Sequence, residues 1–180
     1  MSELEKRIFV PTEECLTPQL LETSREFFSP IADEMSTILG IKVEVSLGVE
    51  ERQISTTRNQ KRFSVIFFDQ ENRNFPLARI DWLLQNSKKP EIMEDGVVSV
   101  IDQRLRGNDF GYQMLVAKRK IGHLLGYKYI LLNSMGSTYP EQITNRSEEE
   151  NYEWKELRGA ENPYVGLKTF KGLVVPKIKK

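Results

Sequence analysis

Val97-Val98-Ser99-Val100-Ile101-Asp102-Gln103-Arg104-Leu105-Arg106-Gly107-Asn108-Asp109-Phe110-Gly111-Tyr112-Gln113-Met114-Leu115 is the stretch on which the reading of this chain turns. It starts as a strand, Gly96 to Ile101, rich in β-branched residues. The period then changes. Phe110, Met114, Leu115, Ala117, Ile121, Leu124 and Leu125 recur on one helical face, while Gln113, Lys118, Arg119 and Lys120 fall largely on the other, polar side. Gly126 supplies a stop, and Tyr127-Lys128-Tyr129-Ile130-Leu131-Leu132 reads as the next strand. Strand, helix and strand in that order form a βαβ crossover, so these two strands are expected as parallel neighbours or near neighbours in one sheet.

Toward the N-terminus, Leu20, Leu21, Phe27, Phe28, Ile31, Met35, Ile38 and Leu39 recur at three- and four-residue spacings behind Thr17-Pro18. They predict one helix, or two with a break at Ser29-Pro30, ending at Gly40. The alternation from Ile41 to Leu47 predicts a half-buried strand, and Glu50 to Lys61 reads as a polar connector. Arg62 to Phe68 and Leu77 to Leu84 should pair as a hairpin across the polar turn Asp69 to Asn74, with Gln85 to Asp95 as loop. Toward the C-terminus a helical Tyr152 to Arg158 and a final strand across Val165 to Val175 are expected.

At 180 residues the chain is expected to form one domain, 1–180. Its 26 basic and 26 acidic side chains cancel, which removes any overall field toward nucleic acid, and the lysines at 168, 171, 177, 179 and 180 read as a solvated tail. Cys15 is the only cysteine and His123 the only histidine. No intramolecular disulfide and no Cys/His zinc site can form, no metal is expected, and His123, on the polar side of its helix, reads as a surface residue rather than a catalytic base. The N-terminus carries acidic residues where a signal peptide needs an apolar stretch, and no run of about 18 apolar residues occurs. A cytoplasmic protein with no membrane contact is the expectation.

The opening stretch resembles the central motif of the GNAT superfamily of N-acyltransferases, in which a strand runs through (Gln or Arg)-x-x-Gly-x-(Gly or Ala) into a long helix. Arg106 stands at the first motif position and Gly111 at the last, and the helix has the family's length and its closing Gly-Tyr, Gly126-Tyr127, before a strand. The resemblance covers residues 96–133 well and the surrounding strand order moderately. It implies a GNAT-like α/β fold: a twisted mixed β-sheet of about six or seven strands, with helices on both faces, opened between the fourth and fifth strands. It also implies acetyl-CoA as co-substrate. The physical basis is an anion site, because backbone N–H groups at a helix start have no internal partner and carry partial positive charge suited to a pyrophosphate. The residues so implicated are Ile101, Arg104, Arg106, Gly107, Phe110, Gly111, Tyr112 and Asn133. Asp109 departs from the pattern, which has glycine there. Its carboxylate either caps the helix and fills the anion site itself, or points away and leaves the amides to a ligand.

By the same resemblance, Tyr152 is the first choice for the acid that protonates a departing thiolate, and Tyr139 the second. Asp81, Glu94 and Asp102 are the candidate bases for the attacking amine. The implied reaction is direct transfer of an acyl group, acetyl in the first instance, to an amine on a small molecule, a protein or a modified nucleotide, since Cys15 lies far from the motif in sequence. The alternative is a non-catalytic GNAT-like binding module engaging a protein or nucleic-acid partner, with the neutral total charge counting against nucleic acid.

Overall fold

The computed structural model describes residues 16–55, 58–83, 92–93, 95–134, 145–146, 154–162 and 168–173. The first helix, α1, spans Pro18–Leu39, and Thr17 opens it: its side-chain oxygen accepts from the Leu20 N–H at 3.2 Å, with Pro18 in the first turn. Gly40, at φ 66, closes it. Pro30 lies inside α1 without breaking it. An internal proline costs about 3 kcal/mol; the buried Phe28, Ile31 and Met35 contribute roughly 1.5–3 kcal/mol each, which decides for one continuous helix. Thr17→Ala should therefore lower stability by only about 1 kcal/mol, seen as a fall of about 3 °C in a circular-dichroism melt.

Along the chain follow β1 (Val43–Ser55), β2 (Arg58–Asp69), β3 (Pro76–Leu83), β4 (Ile92–Met93), β5 (Asp95–Val100), α2 (Phe110–Leu124), β6 (Tyr129–Ser134), β7 (Trp154–Leu157) and β8 (Lys168–Leu173). They form two four-stranded sheets, in the orders β1-β2-β3-β5 and β4-β6-β8-β7. The first sheet is antiparallel throughout; in the second, β4 runs parallel to β6 and the other pairs are antiparallel. This is the mixed α/β architecture expected, and the strands part between β5 and β6, where the sheet was expected to open.

Four expectations are corrected. β5 and β6 do not share a sheet; among the described residues the parallel partner of β6 is the two-residue β4, within a stretch read as loop. Glu50 to Lys61 is not a connector, because β1 and β2 remain paired through Ser55↔Arg58. Trp154–Leu157 is a strand, not part of a helix. Its two buried residues, Trp154 and Leu157, are three apart as on a helix, but the register against β8 governs.

The last correction concerns α2. Lys118 and Arg119 are not on a solvated face: they are 0% and 1% exposed, alongside Phe110, Met114, Leu115 and Ile121. Lys118 Nζ stands 5.8 Å from the ring centroid of Trp82 on β3, and the Arg119 guanidinium 4.6 Å from that of Trp154 on β7. Each cation meets the aromatic face of a different sheet, an arrangement that stabilises a desolvated charge. The Trp154 ring needs the glycine opposite it, since a Cβ on Gly172 would come within 2.7 Å of it. Helix α2 thus bears on both sheets at their parting. Lys120 and His123 are exposed, as expected. Among the described residues no helix is long and apolar enough to cross a membrane.

Candidate functional site

β5 ends where Leu77 turns its carbonyl to two amides at once, Ile101 N–H at 2.9 Å and Asp102 N–H at 3.0 Å. A 3-10 turn over Gln103–Leu105 follows, with the Asp102 carboxylate accepting from the Arg104 N–H. Buried Leu105 anchors this turn in the core. The chain then passes through two left-handed residues, Gly107 at φ 84 and Asp109 at φ 60, before entering α2. The first α-helical bond runs from the Gln113 N–H to the Asp109 carbonyl at 3.0 Å. The N–H groups of Phe110, Gly111 and Tyr112 therefore lie ahead of the helix ladder, at the positive end of its dipole.

The position of the Asp109 side chain separates the two arrangements left open by the sequence. It makes no capping hydrogen bond. Its Oδ2 instead accepts from Arg146 Nη1 at 2.7 Å, and the Arg146 guanidinium lies 4.3 Å from the Tyr112 ring centroid. The carboxylate is drawn aside by a cation 37 residues away, and the self-capped arrangement is not the one found. No sequence signal marked Arg146.

Arg104 and Arg106 are both exposed and differently engaged. Arg104 Nε and Nη2 donate to the two oxygens of Asp102 at 3.1 and 2.7 Å. That hydrogen bond holds the Asp102 carboxyl below its ordinary range, against the opposing effect of burial, and the same bond raises Arg104 further. A carboxylate so held is a weak base, which counts against Asp102 as proton acceptor. Arg106 Nε donates to the Val100 carbonyl at 3.3 Å, which ties its guanidinium to the end of β5.

The remaining sequence-selected residues are dispersed. Ile101 is exposed at the end of β5; Phe110, Gly111 and Tyr112 are buried in the first turn of α2. Asn133 lies in β6, opposite Thr169 of β8. Asp81 is fully buried, with Oδ1 accepting from Arg62 Nη1 at 2.7 Å and Oδ2 from Arg79 Nε at 3.1 Å. Two guanidinium groups occupy it, so it is not placed as a free base. Glu94, Tyr139 and Tyr152 lie outside the described residues. Among the described residues no cluster of three His, Cys, Asp or Glu could hold a metal ion.

No protein-family model and no curated protein sequence matches the chain. Similar solved structures include a GNAT-family acetyltransferase from Staphylococcus aureus Mu50, at 9% identity and TM-score 0.46 over 63% of this chain and 68% of that one. A protein from Klebsiella pneumoniae named as an acyl-CoA N-acyltransferase is 10% identical with TM-score 0.46, covering 88% of this chain and 92% of that one. A chimera of the Vibrio cholerae spermidine N-acetyltransferase is 14% identical with TM-score 0.43, over 63% and 67%.

Proposed function

We propose that this chain binds the pyrophosphate of an acyl-CoA at the start of α2 and transfers the acyl group, acetyl in the first instance, directly to an amine. The observation that carries this reading is the first turn of α2: three amides ahead of the ladder, entered through left-handed Gly107 and Asp109, with the Asp109 carboxylate turned to Arg146. Gly107, Phe110, Gly111 and Tyr112 would supply backbone donors, and Arg106 a nearby cation. Glycine at 107 meets the positive φ without strain. β5 is the edge strand of the first sheet and β6 meets β4 only through Tyr129 and Ile130, so the polar arm of the carrier would lie between the ends of β5 and β6, next to Ile101 and Asn133.

In the proposed reaction the amine nitrogen attacks the thioester carbonyl, the carbon–sulfur bond breaks, and the thiolate takes a proton. Tyr152, or Tyr139, is the proposed donor. With Asp81 held by two arginines and Asp102 by one, Glu94 is the carboxylate left from the sequence as acceptor of the amine proton, directly or through water. Titration calorimetry with acetyl-CoA tests the reading at its first step. Saturable binding at micromolar ligand is expected; no heat of binding at millimolar ligand would favour the non-catalytic module instead.

A further inference from the structure

Arg146 is held at two points of the first turn of α2. Its Nη1 donates to Asp109 Oδ2 at 2.7 Å, and its guanidinium lies 4.3 Å from the ring centroid of Tyr112. Tyr112 is 6% exposed, so its ring is a fixed surface, and it follows Asp109 by about one helical turn. The ring contact sets where the cation sits, and the ion pair sets what it does to the carboxylate. Both side chains of that pair remain open to water, at 44% and 63% exposure, and a pair of that kind adds little to the stability of a fold. Its placement matters more than its strength.

Asp109 immediately precedes Phe110, Gly111 and Tyr112, whose amides lie ahead of the helix ladder. A helix start attracts anions, and a carboxylate already attached to the chain competes there with any anion arriving from solution. Without Arg146 the entrance would carry one negative charge, well inside the screening length of about 8–10 Å from a diphosphate on those amides. With Arg146 the pair is neutral, and the carboxylate is committed to a guanidinium instead of to an amide.

We propose that Arg146 is a positioning residue that decides which anion the start of α2 takes: it holds the Asp109 carboxylate aside, cancels its charge, and so leaves the three amides to a diphosphate. The proposal rests on the acyl-CoA reading above and adds to it a reason why an aspartate is tolerated at a motif position that has glycine. Arg146 acts through Asp109, so its importance depends on that residue. The order of affinities follows from the charge left beside the amides. Asp109→Gly leaves one cation, the parent and a variant lacking both charges are neutral there, and Arg146→Gln leaves one anion. Direct contact of Arg146 with the phosphates would give a different order, since removing Asp109 would not then compensate for the loss of Arg146.

Calorimetric titration of acetyl-CoA into the parent, Arg146→Gln, Arg146→Lys and the double variant Arg146→Gln with Asp109→Gly, at about 50 and about 500 mM salt, tests this. At the lower salt Arg146→Gln should bind at least about tenfold more weakly than the parent, and the deficit should narrow at the higher, because an exposed charge is screened. Its melting temperature should stay within about 3 °C of the parent's, as for the loss of any exposed pair. Arg146→Lys, which keeps the charge, should lose no more than about threefold. The double variant should return to within about threefold of the parent although it carries one change more. If the glutamine variant melts early, Arg146→Met, with an unbranched stem to lie against Tyr112, takes its place. Unchanged affinity in Arg146→Gln would overturn the proposal, and so would a double variant no stronger than Arg146→Gln, which would make Arg146 a direct phosphate ligand. No binding by the parent itself would overturn the acyl-CoA reading and this proposal with it, an outcome distinct from the other two.

Discussion

Asp81→Ala should cost about 3–5 kcal/mol and lower the melting temperature by roughly 10 °C, because it removes the acceptor that two guanidinium groups share inside the first sheet. The Asp81 side chain is 0% exposed and those of Arg62 and Arg79 are 17% and 18% exposed. Arg79 also donates to Ser64 Oγ at 3.2 Å, and Ser64 is the direct cross-strand partner of Asp81. The register that pairs Ser64 with Asp81 puts Arg62 and Arg79 one rung away on either side, so sheet pairing assembles the cluster. Asp81→Asn keeps the shape and one acceptor oxygen but turns the other into a donor facing a cation, so it should fall between alanine and the parent. Melting curves for both variants, with acetyl-CoA turnover followed on the same samples, separate a structural from a chemical role. A variant that melts normally yet has lost turnover would return Asp81 to the list of bases.

The sequence made the fold legible where a period was long and unmixed. The shift from the β-branched run before Ile101 to the three- and four-residue spacing after Phe110 placed the strand and the helix, whereas the parting of the strands was implied only by the family resemblance. It failed where a partner distant in sequence overrode a local pattern. Lys118 and Arg119 look solvated because lysine and arginine usually are, and the arrival of Trp82 and Trp154 on two different sheets helps make their burial tolerable. Trp154 and Leu157 are spaced as on a helix, and pairing with β8 overrides that spacing. Glu50 to Lys61 has no apolar alternation, so a strand pair there leaves no hydrophobic trace in the sequence. In the candidate site, the loop and the helix start followed from Arg106, Gly107 and Gly111. The orientation of Asp109 did not, because it depends on Arg146, and charge pairing across 37 residues has no local signature.

That orientation reverses the expected effect of Asp109→Gly on stability. A capping aspartate would make the glycine variant less stable by roughly 0.5–2 kcal/mol. The side chain makes no cap bond, however, and the residue sits at φ 60, where a non-glycine residue is strained by about 1 kcal/mol. Its ion pair with Arg146 joins side chains 63% and 44% exposed, a class of contact worth about 0–1 kcal/mol. Relief of strain and loss of the pair nearly cancel, so the melting temperature should stay level or rise by a few degrees. The effect on ligand should be small. The carboxylate is already turned aside and paired with Arg146, so its removal relieves little repulsion at the three amides. Acetyl-CoA affinity should accordingly change by less than about tenfold, that is by less than about 1.4 kcal/mol. Calorimetric titration and thermal melting of the parent and Asp109→Gly proteins in one buffer provide both readings. A variant that melts several degrees lower would show that Asp109 caps the helix after all, and one that melts normally but binds well over tenfold tighter would show that the carboxylate obstructs the phosphate site.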